Sequence, residues 1–230
     1  MITKTYTQEQ LRTRIEACKK CRRLTHYRKL VFEARPIRFQ QDCYWNKPVY
    51  GFGDPKAELL ILGSAPAAHG ANRTGRVFTG DKSSDFLMKY LHKHGFANLP
   101  TSTGINDGLQ LNNAYITDII RCAPPKDKPT TREIDNCRNY LINELSYMPN
   151  IKLVLALGKV AFDNYLKTMS AAHQTTYRAK FQHQHTFDLA SELPLLMGCY
   201  HPSPRNTNTG RLTESNFDSV IQEIAARLAT

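Results

Sequence analysis

Four short apolar runs recur along the chain: "ELLILG" at residues 58–63, "AYITDII" at 114–120, "IKLVLAL" at 151–157 and "LLMGCY" at 195–200. Each is too short for a core helix and is bounded by polar or turn-forming residues, so each reads as a buried strand. Helical patterns lie between them at residues 82–94, 131–147 and 158–169, and a last helix is expected over 214–228. Strands alternating with helices predict βαβ units and a parallel sheet covered on both faces. The expectation is one α/β domain over residues 1–230, a four-stranded, mainly parallel, twisted sheet flanked by helices. The stretch 171–193, rich in His, Gln and Thr, has no clear period and reads as a loop or short helix. The opening "MITKTYTQEQLRTRIEACKKC" lacks an apolar signal core and reads as an amphipathic, cysteine-bearing helix.

The segments that follow the strands carry more information than the strands. After the first run comes "GSAPAAHGANRTGRVFTGD", from Gly63 to Asp81; the second leads into "RCAPP" and the fourth into "HPSPRNTNTGRLT". Loops as long as the first are uncommon and usually functional or disordered. In open parallel sheets ligands bind outside the carboxyl ends of the strands. Three Gly/Pro-rich segments are therefore expected to converge on one edge of the sheet and form a site there.

Charge suggests the partner. Thirty-one Lys and Arg face twenty Asp and Glu, a formal net charge of +11. Such an excess suits a polyanion, because cations on phosphates release condensed counterions. Basic residues cluster at 19–38, 73–76, 126–132 and 205–211, two of these inside the long motifs. No apolar run approaches the length of a bilayer span, which argues against a membrane protein. A cytoplasmic, nucleoid-associated protein is expected.

Several residues invite chemistry, each beside a plainer reading. Cys18 and Cys21 have C-x₂-C spacing, with Cys122 and Cys137 much farther along. Four thiolates could hold zinc or a four-iron cluster, and spacing does not separate the two; the plainer alternative is ordinary thiols. Cys43 and Cys199 have no close partner, and Cys199 suits a packed core position. His201, aimed by Pro-Ser-Pro, could donate to a leaving group that gains negative charge, or be a satisfied structural histidine. Asp81 could be a site carboxylate or a helix cap. Phe78 could stack on a base or fill the core, and His69 could bond within its own loop.

Together, "GSAPAAHGANRTGRVFTGD", "YHPSPRNTNTGRLT" and the four cysteines closely resemble the uracil-DNA glycosylase superfamily, and within it the family-five, B-type, iron–sulfur branch. The resemblance runs from about Cys18 to the closing helix. It implies a glycosylase-like fold and hydrolysis of the N-glycosidic bond of uracil in DNA, leaving an abasic site. Deaminated purines such as hypoxanthine are a second substrate class. By resemblance Asp81 and His201 are catalytic, and Gly63, Ala65, His69, Asn72, Phe78 and Asp118 surround an extruded base. Ser203, Arg205, Asn206 and Arg211 meet DNA, while Cys18, Cys21, Cys122 and Cys137 hold a structural 4Fe-4S cluster. The implied protein is a monomer acting on double-stranded DNA, with single-stranded DNA as a further form of substrate. One departure stands out. The family's usual "ITN" is here "ITD", so Asp118 replaces an asparagine that reads the uracil edge. Two rival readings are a non-catalytic DNA-binding protein that keeps the fold and cluster, and a zinc-stabilised DNA-binding module.

Overall fold

A computed structural model describes residues 6–229. The first five residues of the helix read from "MITKTYTQEQLRTRIEACKKC" lie outside the described residues. In chain order the elements are α1 (Gln8–Glu16), α2 (Arg22–Glu33), β1 (Phe52–Gly53), β2 (Leu59–Gly63), α3 (Ala71–Thr74), α4 (Lys82–Lys93), β3 (Ala114–Asp118) and α5 (Thr131–Ser146). These are followed by β4 (Leu153–Leu157), α6 (Lys159–His173), β5 (His185–Phe187), β6 (Leu195–Cys199), α7 (Pro204–Asn208) and α8 (Glu214–Leu228). Among the described residues, no helix is long and apolar enough to cross a membrane.

The expected parallel strands are present as β2, β3, β4 and β6, but the sheet has six strands rather than four, in the order β1-β3-β2-β4-β6-β5. The two additional strands pair antiparallel at its edges. The β1 strand has two residues and β5 three, too few to display a period-two pattern. The N-terminal segment also differs from the single helix expected. It forms two helices, with Cys18 and Cys21 at the junction, because Cys21 is extended (φ −109°) and caps α2. At the other end of α1, Thr7 and Gln10 form a reciprocal capping box.

Side-chain alternation in the strands assembles a core on each face of the sheet. Leu59, Ile61, Ile116, Leu155 and Met197 pack with Leu87 and Leu91 of α4 and Phe217 and Ile221 of α8. Leu60, Leu62, Tyr115, Val154 and Leu196 pack with Leu141 of α5 and Phe162 and Tyr165 of α6. Each fully buried aliphatic side chain contributes about 1.5–3 kcal/mol, so burial of both faces explains why the central strands are apolar throughout. The parallel register aligns Gly63 with Asp118 and Leu157 with Cys199. The loops after β2, β3, β4 and β6 consequently leave from one edge of the sheet.

Candidate active site and cysteine centre

The loop from Gly63 to Asp81 is fixed largely by its own arginines. The Arg73 guanidinium donates to the carbonyls of His69 (2.7 Å) and Gly80 (2.9 Å) and to the Asp42 carboxylate (2.7 Å). Arg76, 5% exposed, pairs with Asp107 at 2.5 Å and donates to Ser102 Oγ at 2.8 Å. Burial alone would raise the Asp107 carboxyl, but Arg76 and three backbone N–H groups outweigh it and hold the carboxyl well below its ordinary range. The 73–76 basic cluster is therefore spent on internal ion pairs and adds little to the charge that suits a polyanion. A left-handed Phe78 (φ 45°) closes the loop, an uncommon conformation for a bulky residue.

Gly63, Asp118, Phe78 and His201 meet at the sheet edge. A Cβ on Gly63 would stand 2.2 Å from Asp118 Oδ1 and 2.7 Å from the Phe78 ring, so only glycine admits both neighbours. Phe78 and the His201 ring stack with centroids 5.8 Å apart and planes 29° apart. Behind His201 lies Gly158 with φ 91°, a conformation that suits glycine where β4 gives way to α6. Asp81 approaches from the end of the loop. Its Oδ1 accepts from the Ser84 N–H at 2.9 Å and caps α4, while an added Cβ on Gly70 would stand 2.0 Å from its Oδ2. The helix-cap reading and a site carboxylate are thus compatible, since each uses a different oxygen.

The electrostatics follow from burial. It pushes the His201 imidazole down to about 4, so the ring is neutral near pH 7. No protein hydrogen bond engages either His201 ring nitrogen among the described residues. Burial likewise pushes the Asp118 carboxyl up to about 7; the Arg121 guanidinium opposes this, and the charges of Asp81 and Glu144 reinforce it. Asp118 is 2% exposed and its Oδ1 has no hydrogen-bond partner. Desolvation also raises the Asp81 carboxyl, against the Ser84 and Ser83 N–H groups. The edge therefore presents a neutral imidazole, an aromatic ring and two carboxyls that feel each other's charge. Such a set can stack on a flat ligand, donate to a developing anion and face a developing cation.

The other motif residues surround this centre or brace it. Ala65 is half-buried in the same loop. His69 turns to Tyr44, Nδ1 to Oη 2.9 Å, and stacks on Phe39. Asn72 is buried and donates to the Ala68 carbonyl, leaving Oδ1 unpartnered. Beyond His201, the Ser203 N–H and the Asn206 amide both donate to the His201 carbonyl, each at 2.8 Å. Arg205 and Arg211 are exposed, Arg211 lying 4.5 Å over the Tyr200 ring. Sequence reasoning missed the bracing by Arg73, Gly158, Arg121 and Glu144. The Leu-Gly pair at the end of β2 recurs at 157–158, where β4 gives way to α6, and was the available signal for Gly158. A surface groove of about 930 Å³ lies between α5, α6 and residues 188–195 and shares no residue with this edge.

Cys18, Cys21, Cys122 and Cys137 line one small cavity with Arg121 and Tyr140. All six cysteines are free. Asn136 donates to Cys21 Sγ at 3.4 Å, and Arg121 and Tyr140 line the same cavity as Cys137 and Cys18. A donor aimed at sulfur suits a thiolate acceptor. Without a metal, burial pushes Cys122 up to about 12 and Cys137 up to about 11; metal binding would favour the deprotonated forms. Among the described residues, no three His, Cys, Asp or Glu side chains are set to hold a single metal ion. Cys199 is fully buried in β6 and Cys43 is exposed, both away from this cavity.

Comparison with known proteins gives the chain's relatives. Residues 50–225 match the model of the uracil DNA glycosylase superfamily. The chain is 42% identical to a type-5 uracil-DNA glycosylase of Mycobacterium tuberculosis over 96% of its length and 81% of that protein. It is 41% identical to the type-5 uracil-DNA glycosylase of Thermus thermophilus over 94% of its length and 95% of the relative. A type-4 uracil-DNA glycosylase of Sulfurisphaera tokodaii is 24% identical over 94% of the chain and 84% of that protein.

Proposed function

The chain belongs to the uracil DNA glycosylase superfamily, and from that premise we propose that it is a type-5 uracil-DNA glycosylase acting in DNA repair. The observation that carries the mechanism is the meeting of Phe78, His201, Asp118 and Gly63 at the sheet edge, with Asp81 beside them. A base within a duplex is out of reach, so the nucleotide must be extruded into this edge. Phe78 stacks on the base, and the small residues around Gly63 and Ala65 let main-chain groups approach its rim. The glycosidic bond breaks with its electron pair passing to the base. The neutral His201 ring donates a hydrogen bond to the departing base anion. Asp81 faces the cation-like sugar and orients water; the water oxygen bonds to the anomeric carbon, its proton passes to Asp81 and finally to the base anion, and an abasic site and the neutral base are left. With Asp118 in place of asparagine, the base range extends to deaminated purines such as hypoxanthine.

Cys18, Cys21, Cys122 and Cys137 would hold a 4Fe-4S cluster, whose contribution is structural: it ties the α1–α2 junction to β3 and α5. The meeting of the four cysteines at one cavity supports a thiolate-held centre, and the resemblance to the iron–sulfur branch favours the cluster over a single zinc ion. Exposed Arg205 and Arg211 lie along the phosphates of double-stranded DNA, and Ser203 and Asn206 set the His201 loop against it. The protein works as a monomer. The deciding experiment is abasic-site formation on a uracil-containing duplex: strand breakage after alkali supports the reading. Tight DNA binding without breakage identifies a non-catalytic binder.

A further inference from the structure

Arg28, on α2, is 5% exposed, and its Nε and Nη1 are buried without a hydrogen-bond partner. Among the described residues it has no ion-pair partner either. The other arginines around the cysteine cavity are matched: Arg121 pairs with Glu144 at 2.5 Å and Arg23 with Glu133 at 2.6 Å. A buried guanidinium with nothing opposite it is strongly unfavourable, because its lost hydration goes unreplaced. The chain around Arg28 indicates where its counter-charge belongs. Cys21, Leu24 and Arg28 recur at helical spacing along one face of α2, and Cys21, Leu24 and Thr25 line the cavity. Leu24 also packs in one core with Cys122 and Cys137, so this face of α2 fronts the cysteine cavity.

We propose that Arg28, with its two unpartnered buried nitrogens, is the counter-charge of the cysteine-held cluster. The inference rests on the iron–sulfur reading above and adds a residue that touches neither base nor sugar. Four thiolates give the assembled cluster a net negative charge, which a fixed guanidinium stabilises. A neighbouring cation also favours the more reduced cluster, so Arg28 raises the reduction potential as well as retaining iron.

The test compares the wild-type holoprotein with Arg28→Met and Arg28→Gln, which remove the charge, and Arg28→Lys, which keeps it. The readouts are the visible absorption band, the chelator concentration that strips half the iron, and the cluster's reduction potential. Both neutral variants should need on the order of tenfold to a hundredfold less chelator, the usual effect of losing an outer partner of a metal site. Their potentials should move to more negative values, while Arg28→Lys stays near wild type. Either neutral variant suffices if the other fails to accumulate. A neutral variant with wild-type chelator resistance and potential overturns the assignment, as does a Lys variant that loses iron as readily as the neutral ones. A colourless wild-type protein overturns the cluster reading itself, and this inference with it.

Discussion

The Phe78 ring lies across the His201 imidazole, centroids 5.8 Å apart and planes 29° from parallel. One residue ends the loop after β2 and the other follows β6, so the contact joins two motifs that are distant in sequence. Phe78 holds φ 45° to make it. A non-glycine residue in that region costs about 1–3 kcal/mol and persists only where its surroundings fix it. Arg73, Arg76 and Asp107 supply that constraint, which marks the Phe78 ring as positioned rather than merely packed.

His201→Ala and Asp81→Asn should each slow single-turnover uracil excision by at least about tenfold to a hundredfold, the usual loss for a charge-stabilising group. Asparagine caps a helix as well as aspartate does, so Asp81→Asn keeps α4 and removes only the charge. Affinity for abasic product should change far less. Normal excision by Asp81→Asn would reduce Asp81 to a cap. Since burial holds His201 down at about 4, the ring stays neutral at mildly acidic pH, and no loss of rate from its protonation is expected near pH 6.

Replacing Cys18, Cys21, Cys122 or Cys137 with serine should lower iron content and thermal stability together, because all four line one cavity. Cys43→Ser and Cys199→Ser should leave the iron in place. Metal analysis with thermal melts checks both halves, and a fully iron-loaded Cys137→Ser protein would count against the ligand set.

The parts legible in sequence were those written in contiguous residues. The central strands lie between two cores, and that burial makes them unbroken apolar runs; the loops after β2 and β6 announce themselves by length and by Gly and Pro. The edge strands β1 and β5 have too few residues to leave a pattern. Arg73 and Arg76 look like phosphate ligands until Asp42 and Asp107 arrive from distant segments to neutralise them. The setting of Asp118 was equally hidden, because its burial and the charges of Arg121, Asp81 and Glu144 exist only after folding.

Arg205→Ala and Arg211→Ala should weaken binding to duplexes of every sequence and flatten the salt dependence, as loss of a phosphate contact does. Both side chains are exposed. Titrations of affinity against salt concentration provide the measurement. Unchanged slopes in both variants would move the DNA surface to the exposed Lys126, Lys128 and Arg132.

Asp118 connects pH with base choice. Uracil presents a donor at N3 and an acceptor at O4; an ionised carboxylate can accept from N3 but opposes O4 lone pair to lone pair. A protonated Asp118 can donate to O4 instead. Burial pushes its carboxyl up to about 7, so the neutral form is lost as pH rises through that value. Wild-type uracil excision should therefore weaken relative to Asp118→Asn above pH 7, and the Asn variant should favour uracil over hypoxanthine more strongly than wild type does. The same shift acts on stability. In the unfolded chain the carboxyl ionises near 3.8, so between there and about 7 the native state holds a proton that the unfolded state has released. By linkage the native state is then favoured at low pH and loses stability as pH rises toward 7, by a few kcal/mol at order of magnitude. Asp118→Asn has no proton to lose and should show a flatter stability profile over that window. Chemical denaturation at pH 5 and pH 8, beside uracil and hypoxanthine excision at the same two values, tests both consequences. Parallel profiles for the two proteins in both experiments would leave Asp118 with no part in reading the base.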